Sequence, residues 1–458
     1  MNPMNPWNQF TPELVSDLYE LTMAASYFRE GMSGEATFSL FIRKYPPGRS
    51  YFVAAGLEHL VDLVTDFRFQ EDSIRFLAST GKFSAGFLHH LRNLRFTGSI
   101  RALPEGTIFF ADEPLLEVTA PIIESQIIET LAINVLQLET LLASKAARCV
   151  HAARGHGLID FSLRRTHGVD AGLKAARAGY LTGFAGTSNV LAGKVYSIPI
   201  FGTMAHSYIT SFDHELDAFR AFSRAFPDST VLLIDTYDTL SGARKAVQVA
   251  REMAAQGRRL RGVRLDSGDL AALSLEVRRI LDEAGLNEVQ ILASGSLDEF
   301  KIQALLEAGS AIDTFAVGTH LGVSADAPYF DIAYKLVEYR DRPVLKLSSG
   351  KRTWVGRKQI YRRCDDQGMM LEDRLCLAHE ECAGGEGLLE EVVRGGERVR
   401  PAESLETIRA RFEREFRRLP EACKDLRSPT LHPVHISRAL QDLEEKTARK
   451  IRREELGD

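Results

Sequence analysis

The chain has 458 residues, of which 45% are hydrophobic and 26% charged, enough apolar material for two or three packed domains and too much for a disordered chain. A net charge of −5 argues against general binding to nucleic acid or to an anionic membrane. No apolar run reaches the ~18 residues of a membrane span, Met1 to Trp7 lacks a secretory signal, and five cysteines fit a reducing compartment, so a cytoplasmic enzyme is expected.

Leu14 to Phe28 carries Leu14, Leu18, Leu21, Ala25 and Phe28 at helical spacing. Thr37 to Arg43 reads as a strand, and Thr107 to Val118 as further strands interrupted by Pro114. Ile122 to Val150 predicts one long helix, with Ile127, Leu131, Val135, Leu138 and Leu142 on a single stripe. The pattern then becomes regular. Val231 to Ile234 leads into Asp235-Thr-Tyr-Asp238 and a helix from Gly242 to Ala255. Gly262 to Leu265 leads into Asp266-Ser-Gly-Asp269 and a helix ending at Ala284. Gln290 to Ala293 leads into Ser294-Gly-Ser296 and a helix ending at Ala308, and Asp313 to Val317 leads into Gly318-Thr-His320. The strand starts fall 31, 28 and 23 residues apart, the size of a βα unit. Leu158 to Leu163, Gly183 to Gly186 and Ser197 to Phe201 fit the same phase. This alternation predicts a parallel sheet and, from the number of units, an α/β barrel; a doubly wound open sheet is the alternative. Lys335 to Arg363 alternates as small antiparallel strands do, while Glu403 to Arg418 and Ser437 to Arg453 are strongly charged helices. The expected domains are therefore 1–121, an N-terminal α/β domain; 122–335, the barrel; and 336–458, a C-terminal region of strands followed by charged helices.

In a barrel the active site lies in the loops that follow the strands. Here those loops hold Arg164, Arg165, His167, Ser188, His206, Asp235, Asp238, Arg264, Asp266, Asp269, Ser294, Gly295, Ser296, Gly318 and Thr319. A single Asp or Ser in such a loop is as well explained by helix capping. Successive strand ends that all carry Arg, His, Asp or Gly-Ser/Thr are harder to explain that way. Ser294-Gly-Ser296 and Gly318-Thr319 place glycine where backbone N–H groups can approach an anion, which makes either a phosphate site or two ordinary tight turns. Arg264 beside Asp266 and Asp269, with Asp235 and Asp238 on the neighbouring loop, is either a structural network or a seat for Mg²⁺ shared with substrate phosphates. Carboxylates without clustered His or Cys favour such a hard cation. Arg164 and Arg165 offer planar forks to a carboxylate or phosphate. His206 reads as a ligand, a proton carrier, a nucleophile or a structural histidine. Cys364, Cys376 and Cys382, with Cys423 and His379 available, lack the C-x-x-C pair of a zinc site; Cys149 falls on the long helix and reads as core.

Asp17-Leu-Tyr-Glu-Leu-Thr22, Phe161-Ser-Leu-Arg-Arg-Thr-His-Gly168, Gly183-Phe-Ala-Gly-Thr-Ser-Asn189 and Gly202-Thr-Met-Ala-His-Ser207 resemble motifs of the nicotinate phosphoribosyltransferase family. So do Ile234-Asp-Thr-Tyr-Asp238, Arg264-Leu-Asp-Ser-Gly-Asp269, Ala293-Ser-Gly-Ser296 and Val317-Gly-Thr319. The resemblance runs from Asp17 to Tyr334 and continues weakly through Leu419-Pro420 and Pro429 to Ser437. It implies an incomplete α/β barrel with an N-terminal α/β domain and a small C-terminal region, working as a homodimer with shared active sites. The implied reaction joins nicotinate to phosphoribosyl pyrophosphate, giving nicotinate mononucleotide and pyrophosphate, with ATP as a co-substrate that is hydrolysed. By the same resemblance, Tyr19 stacks on the pyridine ring from the neighbouring subunit, and Arg164 or Arg165 meets the carboxylate. Arg264, Asp266 and Asp235 handle the pyrophosphate, Mg²⁺ and the ribose, with Asp269 as a further metal ligand. Ser294, Gly295, Ser296, Gly318 and Thr319 hold the 5′-phosphate, and His206 is phosphorylated from ATP. One departure is informative. Related nicotinamide-using enzymes carry Asp in a Gly-Thr-Asp motif where this chain has Ser188. A carboxylate there would repel an acid, whereas Ser is neutral and can donate, which favours nicotinate. The competing readings are a quinolinate phosphoribosyltransferase, which needs neither ATP nor His206, and a barrel-derived binding protein without turnover. A sugar-phosphate aldolase is a third, for which no Lys stands at a strand end.

Overall fold

The structure, a computed structural model, describes residues 11–347 and 353–457; Met1 to Trp7 and the middle of the Lys335 to Arg363 stretch lie outside them. The chain divides into two compact units. One runs to Leu141 and resumes at Tyr329, and the other is Leu142–Pro328. The boundary at Leu141 falls inside the helix Glu129–Ala153.

The unit Leu142–Pro328 is built on six parallel strands: β1 Gly157–Asp160, β2 Gly186–Thr187, β3 Val231–Leu233, β4 Gly262–Leu265, β5 Gln290–Ala293 and β6 Thr314–Val317. Their order across the sheet is β2-β1-β6-β5-β4-β3. Leu232, Leu233, Val263, Leu265, Ile291, Phe315 and Val317 are fully buried. Near-continuous apolar runs of this kind suit strands covered on both faces, as parallel strands are. Helices Val169–Leu181, Thr239–Ala254, Leu270–Glu283 and Glu299–Glu307 follow β1, β3, β4 and β5. β4 and β5 match the sequence expectation residue for residue. Ser197 to Phe201 does not. Ser197 adopts a left-handed φ of 58° and Pro199 has no N–H to donate, so the segment contributes one isolated bridge, Thr187↔Ile200, in place of a strand. Among the described residues β2 and β3 remain sheet edges, so hydrogen bonding does not close a ring. What is observed is a mixed α/β fold with an open parallel sheet.

The other unit centres on a seven-stranded antiparallel sheet in the order Arg342–Pro343, Ile332–Tyr339, Glu35–Ile42, Pro114–Pro121, Ser99–Ala102, Glu390–Arg394, Glu397–Arg398. Strands from the tail thus pair with strands from the first 121 residues, and Phe38, Leu40, Ile100, Leu116 and Val118 form the core beneath them. Pro114 begins its strand, where a missing N–H costs least. A second sheet joins Glu386–Gly387, Lys358–Cys364, Met370–Leu377 and Val434–Ile436, beside the charged helices Leu405–Arg418 and Arg438–Ile451. Two helices differ from expectation. Pro12–Leu14 is a separate 3-10 turn, and the α-helix begins at Leu18 and ends at Arg29. The long helix is two, Ile122–Ile127 and Glu129–Ala153, parted at Ile128, whose φ of −89° and ψ of 2° leave the helical region.

Candidate active site

The ends of β3, β4 and β5 bring Asp235, Arg264, Asp266 and Ser294 together within the unit Leu142–Pro328. Arg264 is largely buried over the Phe161 ring, 5.5 Å from its centroid. Its Nε donates to Ser294 Oγ at 2.8 Å, and Nη1 donates to Thr203 Oγ1 at 3.1 Å and to the Met204 carbonyl at 3.2 Å. Nη2 donates to Asp266 Oδ1 at 2.8 Å, and Ser294 Oγ donates to the same oxygen. Burial pushes the Asp266 carboxyl up, but Ser294, Arg264 and the neighbouring His206 outweigh it and hold the group below its ordinary value. Asp266 is therefore a fixed anion across the neutral range, and Arg264 is held rigid in its plane.

Two arginines face this lattice. Arg164 and Arg165 lie in the short 3-10 turn Leu163–Arg165 after β1, and with Phe161, Arg264, Asp266, Ser294, Gly295, Ser296, Ala316, Gly318 and Thr319 they line a cleft of about 130 Å³. Arg165 Nη1 donates to Thr319 Oγ1 at 3.3 Å, and among the described residues neither arginine forms an ion pair. Three guanidinium groups against one carboxylate make the cleft a site for an anion. Gly295 has φ +98°, and a Cβ there would stand 2.0 Å from the Asp266 carbonyl oxygen, so only glycine fits. That turn leads into the helix Glu299–Glu307, whose first turn is capped by Asp298.

His206 begins the short helix His206–Thr210. Its Nδ1 lies 3.1 Å from Thr236 Oγ1 and its Nε2 lies 3.9 Å from Asp266 Oδ2, and the ring is 43% exposed. The three sequence candidates His206, Asp235 and Asp266 are thus neighbours. Asp235 Oδ2 accepts from the Asp266 N–H at 2.8 Å and from Ser267 Oγ at 2.7 Å, whereas its Oδ1 is buried without a partner. A buried carboxylate oxygen left unsatisfied is costly unless something else meets it. No group of three His, Cys, Asp or Glu able to hold a metal occurs among the described residues. The described residues thus offer no all-protein cage, and the partnerless Asp235 Oδ1 near Asp266 suits a divalent cation that would take its remaining ligands from phosphate and water.

Other candidates fall elsewhere. Asp269 caps the helix Leu270–Glu283, its Oδ1 accepting from the Ala272 N–H at 3.1 Å, and Asp238 caps Thr239–Ala254 in the same way. Ser188 is outside the cleft lining; its N–H donates to the Asp160 carbonyl at 2.8 Å. Tyr19 belongs to the other unit, in the first turn of Leu18–Arg29, and is 46% exposed; burial, Glu129 and Glu20 raise its pKa. All five cysteines are free, and Cys149 is buried as expected. Sequence reasoning passed over Asp160. Its Oδ1 accepts from the Ser162 N–H at 2.9 Å and its Oδ2 from Thr187 Oγ1 at 2.7 Å, so it joins the arginine turn to the loop bearing Ser188. The signal was a carboxylate ending an apolar strand. Thr203 and Thr236 were passed over too, because nothing in a lone threonine points to its partner.

Models for the nicotinate phosphoribosyltransferase N-terminal domain, family and C-terminal domain match residues 14–137, 157–371 and 385–444. The chain is 48% identical over 433 residues to nicotinate phosphoribosyltransferase pncB2 of Mycobacterium tuberculosis, covering 94% of this chain and 92% of that protein. It is 38% identical over 359 residues to the Bacillus subtilis nicotinate phosphoribosyltransferase, covering 76% and 72%. The crystal structure of human nicotinic acid phosphoribosyltransferase is similar with a TM-score of 0.86 at 31% identity, over 94% of this chain and 100% of that one. A nicotinate-nucleotide pyrophosphorylase from Pyrococcus furiosus shares the fold, with a TM-score of 0.74 at 24% identity over 91% and 98% of the two chains. The chain belongs to the nicotinate phosphoribosyltransferase family.

Proposed function

We propose that this chain forms nicotinate mononucleotide and pyrophosphate from nicotinate and phosphoribosyl pyrophosphate in NAD salvage, coupled to ATP hydrolysis through phosphorylation of His206. The observation that carries the reading is the cleft in which Arg164, Arg165 and Arg264 converge with the Ser294–Ser296 and Gly318-Thr319 loops. In this reading one of Arg164 and Arg165 binds the nicotinate carboxylate, Ser188 favours the acid over the amide, and the two loops hold the 5′-phosphate. Arg264, fixed by Ser294, Thr203 and Asp266, is aimed at the charge that develops on the departing pyrophosphate. Asp235 and Asp266 would hold Mg²⁺, which neutralises that charge when bound. The pyridine nitrogen has a free lone pair, so no side chain is needed to remove a proton. The protein's task is to bring the nitrogen to the ribose carbon and to keep the anions in place.

The same proposal includes an incomplete barrel, a homodimer and a cytoplasmic location. The open edges at β2 and β3 support the first. Val190, Leu191, Val195, Ile200 and Phe201 are exposed around β2, an apolar group that a second copy would cover. The free cysteines suit a reducing compartment. No described helix is long and apolar enough to cross a membrane. The deciding assay measures product from nicotinate, nicotinamide and quinolinate, each with phosphoribosyl pyrophosphate and with or without ATP. Nicotinate should be used and stimulated by ATP; turnover of quinolinate, or indifference to ATP, would reject the coupled reading.

A further inference from the structure

Within the unit Leu142–Pro328 a second set of charges lies outside the cleft. Lys145 Nζ donates to Glu299 Oε2 at 2.5 Å and to Asp326 Oδ1 at 2.6 Å, and Arg148 Nε donates to Glu299 Oε1 at 2.9 Å. The side chains of Lys145, Arg148 and Glu299 are no more than 4% exposed, and that of Asp326 is 21% exposed. Burying charges costs several kcal/mol per ion, and apolar residues of similar volume often hold elements together as well or better. Mere attachment is therefore a poor reason for this set, and its place in the chain suggests another. Glu299 is the first residue of the helix Glu299–Glu307, which begins directly after the Ser294–Ser296 loop. Asp298 caps that helix, and its Oδ2 lies 3.9 Å from Nδ1 of His320, the residue after Thr319. Lys301 Nζ closes the first loop from the same helix by donating to the Ser296 carbonyl at 2.8 Å. Asp326 lies a few residues beyond the second loop. One ammonium on the helix Glu129–Ala153 thus ties the segments that follow both loops.

The sign of the charge matters as much as the tie. A carboxylate in the first turn of a helix takes up the positive end that an anion would otherwise use, and a dianionic phosphate would meet it as a repulsive neighbour. Lys145 and Arg148 balance Glu299 and Asp326, so these four groups sum to zero beside the Asp298 cap. We propose that Lys145 is a positioning residue for phosphate binding: it fixes both glycine loops to one helix and removes the negative charge that Glu299 would otherwise present to a phosphate monoester. This rests on the reading of those loops as the 5′-phosphate site.

The test uses the full chain and ribose 5-phosphate as a competitive inhibitor, alongside the KM values for phosphoribosyl pyrophosphate and nicotinate. Lys145→Met should raise the KM for phosphoribosyl pyrophosphate and the inhibition constant of ribose 5-phosphate by about tenfold or more, with the nicotinate KM and kcat within about threefold. Asp326→Asn keeps an acceptor for Lys145 but removes a negative charge, so it should leave ribose 5-phosphate binding unchanged or tighter. A fall with Asp326→Asn comparable to that with Lys145→Met would overturn the charge argument, since a purely structural tie would weaken in both. Should Lys145→Met not fold, Lys145→Gln takes its place and is read by the same criteria. Ser296→Glu separates the two levels of inference, because it places a carboxylate in the loop itself. If it leaves ribose 5-phosphate inhibition unmoved, the loop assignment fails; if it abolishes inhibition while Lys145→Met does not weaken it, only the role of Lys145 fails.

Discussion

Arg264 can act on an anion because its own plane is already fixed by Ser294, Thr203, Met204 and Asp266, so little side-chain freedom is lost on binding. Asp266, held below the ordinary carboxylate range, keeps its charge at neutral pH and so cannot release the guanidinium by protonation there. Gly295 is as constrained: a methyl group at 2.0 Å from the Asp266 carbonyl cannot be accommodated by a side-chain shift, because the obstacle is backbone. Gly295→Ala is expected to lower kcat/KM for phosphoribosyl pyrophosphate by about a hundredfold or more while the chain still folds, checked by kinetics together with circular dichroism. Wild-type kinetics in the folded variant would show that the loop is free to move. His206 offers a second test. With Nδ1 against Thr236 and Nε2 toward Asp266, the ring sits where a phosphoryl group would place new negative charge beside the carboxylates. His206→Ala should keep a weak ATP-independent transferase and lose nicotinate-linked ATP hydrolysis. If the variant still couples hydrolysis to product at the wild-type ratio, His206 is structural.

The helix Leu18–Arg29 is fastened to the start of Glu129–Ala153 by a buried carboxylate. Glu20 accepts from the Thr130 N–H at 3.0 Å, from Thr130 Oγ1, and from Ser16 Oγ at 2.8 Å, yet burial outweighs these bonds and raises its pKa to about 7. The sign follows from linkage. The folded chain holds this proton to a higher pH than the unfolded chain does, so stability is lost as pH rises from about 4.5 to about 7 and is level above that. Glu20→Gln keeps an acceptor for Thr130 and removes the ionisation. The variant should therefore gain on the wild type across that window, by roughly 2–3 kcal/mol at pH 8, measured by urea unfolding at several pH values. Parallel pH profiles for the two proteins would mean that Glu20 ionises freely in the folded state. At this scale the sequence was most legible where an apolar run is short and bounded by polar turns, as in β4 and β5, since local spacing alone sets those strands. It was least legible where the outcome depends on distant partners. Ser197 to Phe201 has the apolar content of a strand but only a single bridge to Thr187, and Ile332–Tyr339 owes its place to Glu35–Ile42, far away in the chain. The site divides along the same line. Arg264, Asp266 and the glycine loops could be read from residue type at a strand end, and capping was one reading of Asp269 from the start, while the role of Asp160 is visible only when the acceptor and its donor are seen together.

Tyr19 lies in the unit that resumes at Tyr329, whereas Arg264, His206 and both glycine loops lie in Leu142–Pro328. Tyr19 is half exposed in spite of its aromatic ring, and Leu18 beside it is 51% exposed, an arrangement that costs hydration free energy unless something covers it. The apolar residues around β2 are exposed as well, on one edge of the parallel sheet. If two copies pair so that Tyr19 of one completes the cleft of the other, each active site is a composite of two chains. A substitution in Tyr19 then disables the neighbour's site, and one in Arg264 disables its own. Tyr19→Ala and Arg264→Ala proteins should each be nearly inactive, because every site in either homodimer carries one lesion. In a mixed dimer one site inherits both lesions and the other inherits neither. Exchange of subunits at equal concentrations makes half of the dimers mixed, and half of the sites in those are intact, so activity should recover to about one quarter of the wild-type value. Subunit exchange can be followed independently with tagged chains. Recovery well above the sum of the two single variants supports the shared site, whereas no recovery after demonstrated exchange places Tyr19 in the cleft of its own chain or outside the reaction altogether.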